Sequence, residues 1–487
     1  MKIPDQVKTV SNFQFASIGT LAVLFCAVLV GVLINIWPVL VVATTLFILV
    51  MLVVYQYQRG LLLWQIFISF GIIAYAALNY GFANYSLSIF FNLPIGHLLV
   101  GFGMLLALFQ SKKLLKSTFS EPAVWLSILL FFISLCHLVV DVPMKGMYAI
   151  RDANYAFEIL LVICGFLWGV QRQYENAFVK TLLVLFVVAF LYSLTYPFKE
   201  TLMQYSPVGG VFREVPLLGT YGAITFYLVL GGLFCFFVAP KLWPKYAYIF
   251  YILGFSQILW SFIFQDRSMY IGLVLGVALI VIFSRLGKLL KVLLVGGAML
   301  LVGLLLGGIV ELDGKGRVGG LSLEFFVEHI KSIFFLGESV GVETSRWRID
   351  LWLGVLEAWK SSYSTMFFGL GFGEPLINFV MAGGVEVRQP HNTHLTVLAR
   401  MGLIGFIVWI LILTRIFYLL AMVVRHTAIG SLTRHTGLWF LAFYMIGLLL
   451  SSVQPWLEFS YGAVPFFIVI GYVVGWSTRV VERNNGI

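Results

Sequence analysis

Charge is what this chain is short of. Asp, Glu, Lys and Arg make up 11% of its 487 residues, where a soluble domain carries about a quarter. With 61% hydrophobic residues, most of the chain has lipid for its solvent, which excludes the ordinary soluble classes. Cysteine is scarcer still. Cys26, Cys136, Cys164 and Cys235 all sit inside apolar runs, with neither metal-ligand spacing nor a disulfide framework. Also missing are a P-loop, a dinucleotide fingerprint, a serine-nucleophile elbow and an aspartate-rich diphosphate–metal signature. A cytoplasmic nucleotide-sugar enzyme needs features of that kind. The apolar runs are continuous, so the alternation that marks a lipid-spanning β-barrel is absent too.

What is there is a series of apolar runs about as long as the 20 or so residues a helix needs to cross a bilayer. They predict an all-α polytopic membrane protein with about fourteen (12–14) spans, near 17–36, 39–55, 61–80, 95–110, 122–140, 156–171, 178–196, 219–239, 246–264, 269–284, 289–308, 395–420, 437–453 and 461–478. The first run, Ser17–Ile36, is longer than a signal-peptide core and is followed at once by another, so it reads as a retained span. Three regions follow: an N-terminal bundle over 1–309, one large loop over 310–394, and C-terminal spans over 395–487.

The net charge of +10 invites a nucleic-acid reading, but its placement argues for topology instead. Alternate connections carry Arg59; Lys112, Lys113 and Lys116; Arg172 and Lys180; Lys241 and Lys245; Arg285, Lys288 and Lys291; Arg425 and Arg434. Lys2, Lys8, Arg479 and Arg483 fall on the same side. The positive-inside rule makes that side, with both termini, cytoplasmic. The large loop then lies outside.

Within that loop Ser345–Lys360 reads as a helix, with Ser345 as N-cap and Trp352, Leu356 and Trp359 on one face. It suits a helix lying on the membrane surface, and equally one packed on neighbouring spans. Next come Gly369-Leu370-Gly371-Phe372-Gly373 and then Arg388-Gln389-Pro390-His391-Asn392-Thr393-His394, which runs straight into an apolar segment. Ionisable groups at such a boundary cost free energy unless something pairs or uses them. His391 and His394 stand at i and i+3 and would share a face on a helix. No carboxylate or thiolate at useful spacing supports a metal site, so His391 reads as a proton acceptor. A histidine of ordinary pKa predicts activity falling below pH of about 6.5. His394, one turn deeper, reads as structural. Arg267, in the short turn Gln265–Ser268, is either an anion clamp or an arginine that snorkels or pairs with Asp266. Arg213 has the same two readings, with Glu214 as its local partner. Arg400 is deeper, where snorkelling or pairing within the bundle is expected.

The run from Arg388 to Gly405 (RQPHNTHLTVLARMGLIG) resembles the C-terminal signature of the O-antigen ligase and polysaccharide polymerase family. Arg346-Trp347-Arg348 through Trp352, the glycine turn from Phe368 to Gly373, and Arg267-Ser268 are similar to further elements of that family, so the likeness covers roughly residues 265–410. The resemblance implies a membrane glycosyltransferase of GT-C type in the bacterial inner membrane. It would move a glycan from undecaprenyl diphosphate to an acceptor hydroxyl, either another lipid-linked glycan or lipid A-core, without cofactor or metal. A flippase and a chain-length regulator would be partners; nucleic acid would not. By match, Arg267 and Arg213 would hold the diphosphate and His391 would activate the acceptor. Asn392, Arg388, His394, Arg346 and Arg348 would position substrate. Arg400 departs from the family, where an acidic residue is frequent, which leaves its role open. Span count and loop size lean toward a polymerase rather than a ligase. The rival from a different class, a polysaccharide transporter or flippase, predicts midplane charges, whereas here they crowd the outer ends.

Overall fold

The computed structural model describes residues 62–87, 93–210, 214–284, 331, 340–377, 379–381 and 385–484. The expected spans near 17–36, 39–55 and 289–308, the basic residues Lys2, Lys8, Arg59, Arg285, Lys288 and Lys291, Arg213, and most of the 310–339 stretch lie outside the described residues.

Thirteen helices matter to the argument: α1 (Leu63–Asn84), α2 (Ile95–Gln110), α3 (Pro122–Lys145), α4 (Leu161–Gly169), α5 (Glu175–Ser193), α6 (Ile224–Phe237), α7 (Ala247–Ser261), α8 (Arg267–Ser284), α9 (Val340–Lys360), α10 (Tyr363–Phe368), α11 (Thr393–His426), α12 (Leu432–Val453) and α13 (Ser460–Asn484). Among the described residues the strands form three short antiparallel pairs: β1 (Ser86–Leu87) with β2 (Leu93–Pro94), β3 (Val208–Gly209) with β4 (Val215–Pro216), and β5 (Phe379–Met381) with β6 (Val385–Val387). The protein is an all-α bundle of the polytopic membrane type. Among the described residues eight helices are long and apolar enough to cross a membrane. A ninth, α2, bends by 76° into the next helix, and Asn154–Gly169 and Arg267–Phe283 are shorter apolar helices. Each of the expected spans that falls on described residues coincides with one of these elements.

Side chains tie helix ends together. Lys241 donates to the Gly430 carbonyl at 3.1 Å, and Arg434 to the Phe283 carbonyl at 2.9 Å. The connections after α6 and α11 and the last turn of α8 therefore meet at one end of the bundle, where Lys241 and Arg434 lie. At the same end Arg479 pairs with Glu175 at 2.7 Å. Pro122 starts α3 where a missing N–H costs nothing, and Glu121 just before it takes a two-pronged hydrogen bond from Arg415 of α11, at 2.8 and 3.1 Å.

The tightest seam joins α4 and α13. Gly165 and Gly169 face Gly471 and Gly475, and a Cβ on Gly165 would lie on the Ile468 carbonyl oxygen. Small residues four apart let two backbones touch, which is how helices associate where apolar side chains gain nothing by leaving lipid.

The long helix α11 is two arms. Straight, its 34 residues would run about 51 Å at ~1.5 Å per residue, well beyond a hydrocarbon core of about 30 Å. It breaks at Gly402 (φ 63°, ψ −167°), a conformation open essentially to glycine alone. The fold-back is sharp: Trp409 Nε1, in the second arm, donates to His394 Nδ1, in the first, at 3.0 Å.

Candidate functional site

A helix broken in mid-course leaves backbone carbonyls without partners. Here the Ala399 and Arg400 carbonyls accept from the N–H groups of Leu370 (2.7 Å) and Gly371 (3.1 Å). The glycine turn after α10 thus caps the first arm of α11. Gly369 takes φ 83°, and its α-carbon lies so close to the Arg400 carbonyl that a Cβ would overlap it.

The other end of that arm carries the histidines. Asn392 is the N-cap of α11, its side chain accepting from the Leu395 N–H at 3.1 Å. His391 lies just outside the helix with φ 55°. The expectation that His391 and His394 share a helix face is therefore corrected: only His394 is helical, because the cap falls between them. Trp352 Nε1 of α9 donates to the Pro390 carbonyl at 2.7 Å, and the Trp347 ring meets the His391 ring edge-on at 5.8 Å. So α9 packs against the histidine turn and the start of α11. It begins at Val340, which places Ser345 inside the helix rather than at its cap.

The two imidazoles differ in chemistry. His394 accepts from Trp409 at Nδ1, so Nε2 carries the proton and donates to the Leu448 carbonyl at 3.4 Å. Both of its nitrogens are committed within the bundle. His391 Nδ1 lies 3.2 Å from the Gln389 carbonyl, to which it donates, and among the described residues Nε2 has no hydrogen-bond partner. Burial, and then the nearby positive charge of Arg348, pull the His391 pKa down to about 4. That corrects the expectation of an ordinary titration near 6.5. The ring is neutral at physiological pH, with an unshared pair on Nε2.

The arginines take different places. Arg267 is half-buried at the start of α8. Asp266 beside it has its carboxylate engaged by the Ser268 N–H (3.1 Å) and hydroxyl (2.5 Å) and by the Thr225 hydroxyl (3.1 Å). Gln454, just past α12, donates to the Ser268 hydroxyl at 3.4 Å. Since His394 reaches Leu448 near the same end of α12, Arg267 and His391 lie at one end of the bundle. Arg348 is half-buried and Arg346 exposed. Arg388, expected beside substrate, turns inward: it donates to the Gly373 carbonyl at 2.6 Å and lies 4.4 Å above the Tyr148 ring. Arg400 is 1% exposed and pairs with Asp152 at 2.7 Å.

Three acidic residues passed unnoticed in the sequence. Asp152 meets Arg400, Asp141 accepts from the Phe372 N–H at 2.8 Å, and Glu458 accepts from the Thr396 hydroxyl at 3.1 Å. Burial pushes the Glu458 carboxyl up to about 7, against the pull of the Thr396 bond and Arg400. The signal was available for Asp141 and Glu458: each is a lone carboxylate beside or within an apolar run, which is costly without a partner. Among the described residues no group of three or more His, Cys, Asp or Glu side chains is arranged to hold a metal ion. In sequence comparison the chain matches no known family model and no curated protein.

Proposed function

We propose that this protein is a membrane glycosyltransferase that transfers or polymerises a glycan from undecaprenyl diphosphate onto an acceptor hydroxyl. In this reading it is a GT-C enzyme of about fourteen spans in the bacterial inner membrane, with the basic end of the bundle cytoplasmic and the His391 end outside. The observation that carries the proposal is the placement of His391: an imidazole whose Nε2 has no hydrogen-bond partner among the described residues, held in a left-handed turn at the same end of an apolar bundle as Arg267. The acceptor hydroxyl attacks the anomeric carbon, the bond to the diphosphate oxygen breaks, and the diphosphate leaves with the electron pair. The hydroxyl proton passes to His391 Nε2. Arg267, with Arg213, stabilises the charge growing on the leaving diphosphate through a fixed fork of N–H donors. Arg346 and Arg348 position the substrate.

The rival reading, a polysaccharide transporter or flippase, draws on a half-buried pair, His97 with Glu158 at 3.0 Å. Both residues sit near helix ends rather than midway along a span, which favours the transferase.

Purified protein, lipid-diphosphate glycan and acceptor provide the test. Loss of the base in His391→Ala predicts roughly a 100- to 10,000-fold loss of turnover with donor binding retained. Arg267→Lys keeps the charge but loses the fork, and its donor affinity and turnover should both fall. Full turnover by His391→Ala, or wild-type behaviour of Arg267→Lys, would overturn the assignment.

A further inference from the structure

Asp152 lies in the short helix Met147–Asp152 between α3 and α4, far in sequence from the histidine turn. Its carboxylate is 1% exposed, and one oxygen, Oδ2, is shared by three groups. Arg400 Nη2 lies at 2.7 Å, the Gly373 N–H at 3.2 Å and Arg388 Nη2 at 3.8 Å. Each arginine also holds the glycine turn: Arg400 donates to the Gly371 carbonyl at 3.0 Å and Arg388 to the Gly373 carbonyl at 2.6 Å. Asp141 takes the Phe372 N–H between them and is itself paired with Lys145 at 3.2 Å. Arg388 stands three residues before His391 and Arg400 nine after it. The stretch bearing the histidine therefore leaves one buried carboxylate and returns to it.

We infer that Asp152 is a positioning residue, which through Arg400, Arg388 and the Gly371–Gly373 turn sets where His391 stands at the site. The inference rests on the reading of His391 as the base. Stability alone does not account for such a node. A buried ion pair recovers little more than its desolvation cost, and apolar residues of similar volume often replace it without loss. What apolar residues cannot reproduce is the directional hold on two glycine carbonyls and one N–H. Displacement of a catalytic group by about 1 Å can cost on the order of 100-fold in rate.

Two variants and two readouts test this. Asp152→Asn keeps the size and one acceptor oxygen but removes the charge. The double variant Asp152→Leu/Arg400→Leu replaces the pair with apolar volume. Turnover is measured with lipid-diphosphate glycan as donor, separating kcat from KM. Independently, the rate at which diethyl pyrocarbonate modifies His391 is followed by mass spectrometry across pH, in inserted protein, with no need for activity. We expect both variants to lose kcat by about 100-fold with donor KM near wild type, and the half-point of His391 modification to move up in pH as the turn loosens. Wild-type kcat together with an unmoved half-point in either variant overturns the inference. Should the double variant fail to accumulate, Asp152→Asn decides by the same two measures. A wild-type protein without transferase activity, but with a His391 half-point that moves in Asp152→Asn, would overturn the proposed function and leave the positioning role standing.

Discussion

Replacing Gly402 by alanine should be among the most damaging single-methyl additions possible in this protein. At φ 63° and ψ −167° a residue with a Cβ carries about 1–3 kcal/mol of strain. The added methyl would lie on the Phe367 carbonyl oxygen and close to the Gly369 nitrogen, both of them backbone atoms that have no rotamer to move away. To make room the glycine turn must withdraw, which breaks the bonds from Leu370 to Ala399 and from Gly371 to Arg400. Each buried carbonyl left without a donor costs about 1–3 kcal/mol. The combined loss, about 3–9 kcal/mol, is comparable to the 5–15 kcal/mol that holds a typical domain folded. Gly354, on the exposed side of α9, is the control, because a Cβ there meets nothing within 4 Å. Alanine at that helix-interior site should stabilise by about 0.5–1 kcal/mol. The assay is accumulation in the membrane, then the thermal midpoint of purified protein followed by size-exclusion chromatography after heating. Gly402→Ala should accumulate poorly or melt far below wild type, and Gly354→Ala should melt at or above it. Equal midpoints for Gly402→Ala and wild type would refute the folded-arm account of α11.

Two further predictions concern the site. Because the folded pKa of His391 is depressed to about 4, its neutral, proton-accepting form persists above that value and is lost only as pH falls through it. Any change of rate near pH 7 should come from Glu458, raised to about 7, and should vanish in Glu458→Gln; a limb near 6.5 that survives that substitution would assign it to His391. His394→Ala strands Trp409 Nε1, at about 1–3 kcal/mol, whereas the Leu448 carbonyl keeps the Ser452 hydroxyl at 2.9 Å, so its melting point should fall while turnover per inserted molecule stays near wild type. Loss of turnover with an unchanged melt would contradict the structural role of that ring.

Composition and the length of the apolar runs were enough to determine an all-α membrane-type chain, and the described helices fall where those runs do. Hydrophobic periodicity is a local property, and lipid enforces it segment by segment. The histidine turn was equally legible, since polar residues at the edge of an apolar run stand out without any knowledge of contacts. Position in the sequence separated His391 from His394, but only the tertiary structure supplies the physical cause. Whether an imidazole keeps a free nitrogen depends on Trp409 and Leu448, and whether it charges depends on burial and on Arg348 from another helix. The break at Gly402 was hidden because a glycine inside a helical run is compatible with a straight helix; what makes it a break is the turn from Gly369 to Gly373 docking on the exposed carbonyls. Asp152 was the least visible of all. Its partners Arg388 and Arg400 lie more than two hundred residues downstream, and nothing local to Asp152 says that two arginines and a glycine turn converge on it.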